Sequence, residues 1–311
     1  MSAKIVQLAP MLGLIDAPFM NAISKIGGFD EMFAPYILAD GKSLARRRVL
    51  MQRFENIDKS VNLVPQLLSN SVEGFLHYAN ELYELGYQKV SWNMGCPQPF
   101  VTERNRGAGM LRDLQKTASL IEAVLPKLKP QLSIKIRLGY SSSDEFMQAL
   151  DMFNQFEINE LVVHARTAIQ QYSGVPDKKT FGIGAKKSRN PIVYNGDIIS
   201  VSDVSDLQQF ELKGFMVGRG AISNPFIGLQ IKGEPCTECP EKFRTFCMEI
   251  HDSYMRGKCG SINRLKELWK FFSKAFVGEN QIFDIVKRVG DAHDLEAAVN
   301  QIFDRFELKS F

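Results

Sequence analysis

One rhythm in the sequence limits what it can fold into more than any other feature: short apolar or β-branched runs alternate with amphipathic stretches from residue 5 to residue 218. The runs cover 5–9, 31–36, 61–67, 89–93, 133–138, 160–164, 192–195 and 215–218. Between them, 72–85, 114–128, 144–156 and 201–210 repeat apolar residues at three- and four-residue steps, as one face of a helix requires. Strands alternating with helices in this number predict an α/β fold, a TIM (β/α)8 barrel rather than an open doubly wound sheet. The polar, basic segment 40–59 reads mostly as loop. After Gly233 the rhythm stops. Residues 235–240 read as a linker, and 241–256, 261–278 and 294–306 as three amphipathic helices. The expected division is a barrel over 1–235 and an all-helical domain over 236–311.

A chain of 311 residues, 45% hydrophobic, is long enough for one large core and a small appendage. Five cysteines are too few for a disulfide scaffold and favour a reducing compartment. Cys236 and Cys239 form a C-x-x-C that reads as incidental to the linker, with half of a zinc site as the alternative. The N-terminal residues show no secretory pattern, and no run reaches the roughly 18 apolar residues of a membrane span. The expectation is therefore a cytoplasmic protein with no membrane or metal partner. A net charge of +3 permits a polyanionic partner without requiring one.

Barrel chemistry sits at the C-terminal ends of the strands, and there the sequence places its unusual polar residues. The first run ends at Pro10-Met11 and the third carries Gln66. The fourth runs into Asn93-Met94-Gly95-Cys96-Pro97, and the fifth carries Lys135 and Arg137. The sixth ends in His164-Ala165-Arg166, the seventh in Asn195-Gly196-Asp197, the eighth in Gly218-Arg219-Gly220. The last two resemble a phosphate site, where glycines admit backbone N–H groups to an anion and Arg219 adds a charged fork. Singly, each glycine is as well explained by a turn. Lys135 alternates with Ile134 and Ile136, so it and Arg137 share a face; the apolar helices outside a barrel favour the inward one. A lysine there needs an anionic or acceptor partner. Cys96 lies in a Gly-Cys-Pro turn at the rim, and a thiol is mostly protonated at neutral pH, so it can serve as a general acid.

Taken in order, these motifs resemble the bacterial tRNA-dihydrouridine synthase family. Ala9-Pro10-Met11, Val64-Pro65-Gln66-Leu67, Asn93-Met94-Gly95-Cys96-Pro97 and Lys135-Ile136-Arg137-Leu138-Gly139 carry the first half. His164-Ala165-Arg166-Thr167 with Gln171-Tyr172-Ser173-Gly174, Asn195-Gly196-Asp197-Ile198 and Val217-Gly218-Arg219-Gly220-Ala221 carry the second. The resemblance implies a TIM barrel holding FMN, reduced by NADPH, and reduction of a uridine in tRNA. It implies that Pro10 and Met11 lie against the flavin, that Gln66 and Lys135 hold its pyrimidine edge, and that His164 and Arg166 contact it. Asn195, Gly196, Asp197, Gly218 and Arg219 would take the ribityl-phosphate end, Asn93 the target uracil, and Cys96 the role of catalytic acid. Two loops depart from the family pattern. Leu12-Gly13-Leu14-Ile15-Asp16 lacks the usual threonine, and Lys178-Lys179-Thr180-Phe181 replaces the usual tryptophan after Asp177.

A base inside folded RNA must be extruded to meet a flavin at the bottom of a barrel mouth, and the backbone then needs a basic surface. The stretch 254–274 offers Arg256, Lys258, Arg264, Lys266, Lys270 and Lys274, with Tyr254 and Trp269 interleaved. Arg264, Lys266 and Lys270 are the expected RNA contacts, with the aromatics as core on the opposite face. Lys42 with Arg46, Arg47 and Arg48 is a second basic cluster, expected to be surface only. The alternatives are a flavin barrel acting on a ribosomal RNA or on a free pyrimidine, and a non-catalytic RNA-binding barrel. A monomer is expected, although the sequence leaves the oligomeric state open.

Overall fold

A computed structural model describes residues 4–40, 47–256 and 262–310; Lys42, Arg46 and Lys258 of the basic clusters lie outside them. Ten strands form one parallel sheet: β1 Ile5–Leu8, β2 Glu31–Phe33, β3 Ile37–Leu38, β4 Leu63–Val64, β5 Gln66–Leu68, β6 Lys89–Met94, β7 Gln131–Gly139, β8 Glu160–Thr167, β9 Ile192–Asn195 and β10 Gly214–Val217. They occupy eight barrel positions. β2 and β3 are two halves of the second, interrupted at Ala34-Pro35-Tyr36. β4 and β5 are halves of the third, interrupted at Pro65, which has no N–H to give to a ladder. Pairing of β2 with β4, β3 with β5 and β1 with β10 closes the ring. The (β/α)8 barrel expected from the periodicity is the fold.

The barrel interior is layered. At the N-terminal end Gln7, Glu31, Lys89, Glu160 and Lys213 form a polar network, with Lys213 2.6 Å and Lys89 3.4 Å from the fully buried Glu160 carboxylate. Above it, Ala9, Phe33, Val64, Val162, Val193 and Met216 make a dry apolar layer. That layer seals the barrel floor, so polar side chains one step further along each strand face only the C-terminal mouth.

Several helices start where a side chain accepts a free N–H: Asp16 for Ala17–Ile26, Ser71 for Val72–Glu84, Asp113 for Leu114–Val124 and Asp177 for Lys178–Ala185. Segment 47–54, expected as loop, is the helix Arg47–Phe54, held by only two buried residues one turn apart, Leu50 and Phe54. The 201–210 helix shrinks to Ser202–Ser205, with Asp203 accepting the N–H groups of Ile199 and Ser200 just ahead of it.

Among the described residues the C-terminal region holds four helices where three were expected: Cys239–Arg256, Ile262–Phe272, Glu279–Arg288 and Ala292–Arg305. Phe243, Phe246, Trp269, Phe272, Phe276 and Phe303 pack edge to face in its core. Phe246 also meets Phe19 of the barrel at 5.4 Å between ring centres, so the helices are seated on the barrel. Cys236 and Cys239, read from the sequence as incidental to the linker, are joined as a disulfide. Among the described residues no helix is long and apolar enough to cross a membrane.

Candidate active site

The strand register gathers the rim residues. Asn93 of β6 lies beside Lys135 of β7, Arg137 beside His164 of β8, and His164 beside Asn195 of β9. Two cavities open over them. The larger, about 610 Å3, is lined by Pro10, Met11, Lys135, His164, Asn195, Gly196, Asp197, Gly218 and Arg219 and reaches Phe271 and Lys274 of the C-terminal helices. The smaller, about 430 Å3, contains Asn93, Cys96, Arg137, Leu12, Phe100 and Tyr172. Pro10, Met11, Lys135, His164, Tyr172 and Arg219 line both, so the cavities are two halves of one mouth.

The Cys96 loop is fixed from three sides. Asn93 Oδ1 accepts the N–H of Gly95 (3.1 Å) and of Cys96 (2.9 Å), Ala108 N–H donates to the Cys96 carbonyl (2.9 Å), and Arg137 Nε donates to the Gly95 carbonyl (2.9 Å). Gly107 is required behind it: its φ is +55°, and a side chain would collide with the Cys96 carbonyl at 2.7 Å. Burial raises the pKa of the thiol; the Gln98 N–H and the charges of Arg137 and Lys135 pull the other way and do not win. Cys96 therefore stands in the cavity wall as a neutral thiol, able to give a proton.

Lys135 donates to Asn195 Oδ1 at 2.9 Å, and Asn195 in turn donates to the Met216 carbonyl at 2.7 Å. Burial, then the nearby Arg137, lowers the Lys135 pKa to about 7. Burial and the charges of Arg137, Lys135, Arg166 and Arg219 hold His164 well below the usual imidazole value, so it is neutral. Asp197 is the acid among these cations. Burial pushes its carboxyl up, but the hydrogen bonds and charges of Arg166 and Arg219 outweigh that and keep it ionised. Both arginines are bound to it, Arg219 at 2.7 Å. Lys135 is left with no carboxylate, and a mouth with this donor set fits a ligand carrying negative charge.

Two of the expected flavin contacts do not border either cavity. Gln66 is buried one layer down, donating to Ser91 Oγ (3.1 Å) and accepting from Asn93 Nδ2 (2.7 Å). Arg166 is 1% exposed and spends its donors on Asp197 and on the carbonyls of Ser173 and Gly174. Tyr172, quoted in a motif but given no role by the sequence, sits between Arg137 and Arg219, whose guanidinium carbons lie 5.5 and 5.0 Å from its ring centre. The glycine two residues on, Gly174 at φ +64°, marks the turn that presents it.

Of the expected RNA contacts, Arg264 and Lys266 have partners within the protein. Arg264 donates to the Tyr254 hydroxyl (3.2 Å) and pairs with Asp16 (3.3 Å), and Tyr254 also donates to Asp16. The half-buried guanidinium straps the helices to the loop after β1. Lys266 donates to the carbonyls of Lys287 and Val289 and so closes the end of helix Glu279–Arg288. Lys270 is exposed, as is Lys274, which borders the larger cavity. Tyr254 and Trp269 are buried core.

Comparison with known proteins adds the following. A family model described as dihydrouridine synthase (Dus) matches residues 7–309. A tRNA-dihydrouridine(16) synthase of Neisseria meningitidis serogroup A is 26% identical over 94% of this chain and 93% of its own length. A probable tRNA-dihydrouridine synthase 2 of Bacillus subtilis is 26% identical over 97% and 94%. Among solved structures, the old yellow enzyme homologue from Zymomonas mobilis superposes with a TM-score of 0.53 at 10% identity, over 75% of this chain and 90% of that one. A DHODH from Eimeria tenella gives 0.51 at 14%, over 73% and 79%. At these identities the two structures speak for the barrel alone.

Proposed function

The chain belongs to the dihydrouridine synthase family, and from that premise we propose that it reduces the C5–C6 double bond of particular uridines in tRNA, using NADPH through bound FMN. The observation that carries the reading is one mouth that brings together a protonated thiol, Cys96, and a buried lysine without a carboxylate partner, Lys135. When bound, FMN supplies the two-electron reduction of the uracil. Pro10, Met11 and His164 form the wall against which its ring packs. Lys135 holds the pyrimidine edge, and Asn195, Gly196, Asp197, Gly218 and Arg219 hold the ribityl-phosphate end. Gln66 and Arg166 act as positioning residues, through Asn93 and Asp197 respectively. Asn93 braces the loop through its oxygen and gives one amide N–H to Gln66, so its second amide N–H is left to offer to the target uracil. Cys96 gives its proton to uracil C5 and is reprotonated from water. Residues 1–235 form the catalytic unit and 236–311 the part that holds RNA, and the protein works with tRNA in the cytoplasm.

The test is direct. Protein loaded with FMN, given NADPH and unmodified tRNA transcripts, forms dihydrouridine. NADPH oxidation that is indifferent to RNA but stimulated by a free pyrimidine would instead make this a small-molecule reductase.

Lys135 gives a pH prediction. With its pKa near 7, binding the acceptor atoms of a flavin's pyrimidine edge draws a proton onto the amine. FMN affinity should therefore hold below pH 7 and weaken as pH rises above it, read by flavin fluorescence titration from pH 6 to 9. A flat profile would remove Lys135 from the contact.

The exposed lysines of the C-terminal helices give another. Reversing Lys270 and Lys274 to glutamate should weaken tRNA binding and reduce the salt slope by about one per lost phosphate contact. Lys266→Glu should act through stability instead, because Lys266 closes a helix end.

A further inference from the structure

An aromatic side chain stands in water at the lip of the catalytic pocket, and nothing in the fold accounts for it. Phe100 is 59% exposed, although it borders the same cavity as Cys96. Its exposure is built in. Pro99 starts the single helical turn Pro99–Thr102, whose next two residues, Val101 and Thr102, are buried at 2% and 3%. That turn is anchored through Arg112, which donates to the Thr102 carbonyl, and through Gly109, where any side chain would meet the Thr102 carbonyl at 2.6 Å. The backbone thus fixes Phe100 on the outer side, four residues from the thiol. Across the same pocket Leu12 is 60% exposed, in the loop that also carries Pro10 and Met11. The pocket is polar and cationic at its floor and apolar at its lip.

An exposed apolar lip over a cationic floor matches an unpaired nucleobase: the ring stacks on the aromatic, and the phosphates meet the positive charge. We propose that Phe100 is a stacking residue for the RNA, taking the face of a base next to the extruded uridine and filling the gap the extrusion leaves, with Leu12 as the opposite apolar edge. The inference rests on the RNA reading above and adds to it a residue that selects unstacked RNA.

The protein offers a clean probe. Its two tryptophans, Trp92 and Trp269, are buried at 0% and 1%, so Phe100→Trp places a single exposed indole at the lip. In the FMN-loaded protein, the added emission should be quenched on titration with unmodified tRNA. Phe100→Ala should weaken tRNA binding about tenfold, within the range for loss of one base stack. Phe100→Trp should keep the wild-type affinity, and Phe100→Leu should not, which separates stacking from apolar bulk. Indole emission unmoved by saturating tRNA, or an alanine variant that binds tRNA as the unaltered protein does, would overturn the inference and leave the RNA reading standing. Unaltered protein that binds no tRNA would overturn both.

Discussion

Replacing Cys96 with alanine is expected to lower dihydrouridine formation by about 10²–10⁴-fold, the usual worth of a placed general acid, while the protein keeps its flavin and still oxidises NADPH. The residues proposed to hold the flavin are elsewhere: the Cys96 backbone, not its sulfur, is what Asn93 and Ala108 grip. Removing the thiol therefore takes away a proton and little else. Cys96→Ser should remain impaired, because a hydroxyl is a far weaker acid. The pH dependence follows from the burial that raises the thiol pKa. The acid form persists through neutrality, so the rate should fall only on the alkaline side, above the ordinary thiol value of about 8.5. Single-turnover reduction of tRNA by pre-reduced enzyme measures both effects. Undiminished turnover in the alanine variant would take the proton from elsewhere.

The second large effect lies at the other end of the barrel. Glu160→Gln should destabilise the fold by roughly 3 kcal/mol, the lower end of the cost of removing one partner from a buried ionic cluster. Glu160 is completely buried, and its loss leaves Lys213 without its carboxylate and Lys89 with only Glu31. Lys213 is partly open to water, which puts the figure at the lower end. Burial pushes the Glu160 carboxyl up, but Lys89 and Lys213 outweigh it and hold the pKa below its ordinary value. A depressed carboxyl contributes stability above its unfolded pKa, near 4.3, and loses it as pH falls through the folded value. The gap between wild type and variant in urea melts should thus be constant near neutrality and close only in acid. The apolar layer formed by Val162, Val193 and Met216 separates this cluster from the mouth, so folded variant should still bind flavin.

The barrel was legible because its strands are buried on both faces and read as apolar runs, each ending in a polar residue that faces the mouth. Lys135 and Arg137 illustrate this: alternation with Ile134 and Ile136 put them inward, and both border the smaller cavity. What lay beyond local pattern was pairing at a distance. Nothing near Arg264 announces that its partner is Asp16, 248 positions earlier, nor near Lys266 that it closes the end of another helix. A basic helix face looks the same in sequence whether its cations meet RNA or the protein itself. The helix Glu279–Arg288 escaped for a related reason. It buries only Ile282 and Val286 among charged residues, too narrow a stripe to stand out. Gln66 and Arg166 stand at the expected strand ends, yet they serve one step behind the surface, because neighbouring side chains and backbone carbonyls claim their donors first.

The measurement that tests the central claim most directly is dihydrouridine mapping across total RNA from cells with and without the gene. Loss of dihydrouridine at a defined tRNA position, restored by the wild-type gene and not by the Cys96→Ala form, is the expected result. An unchanged map in cells with no other enzyme of this family would contradict it.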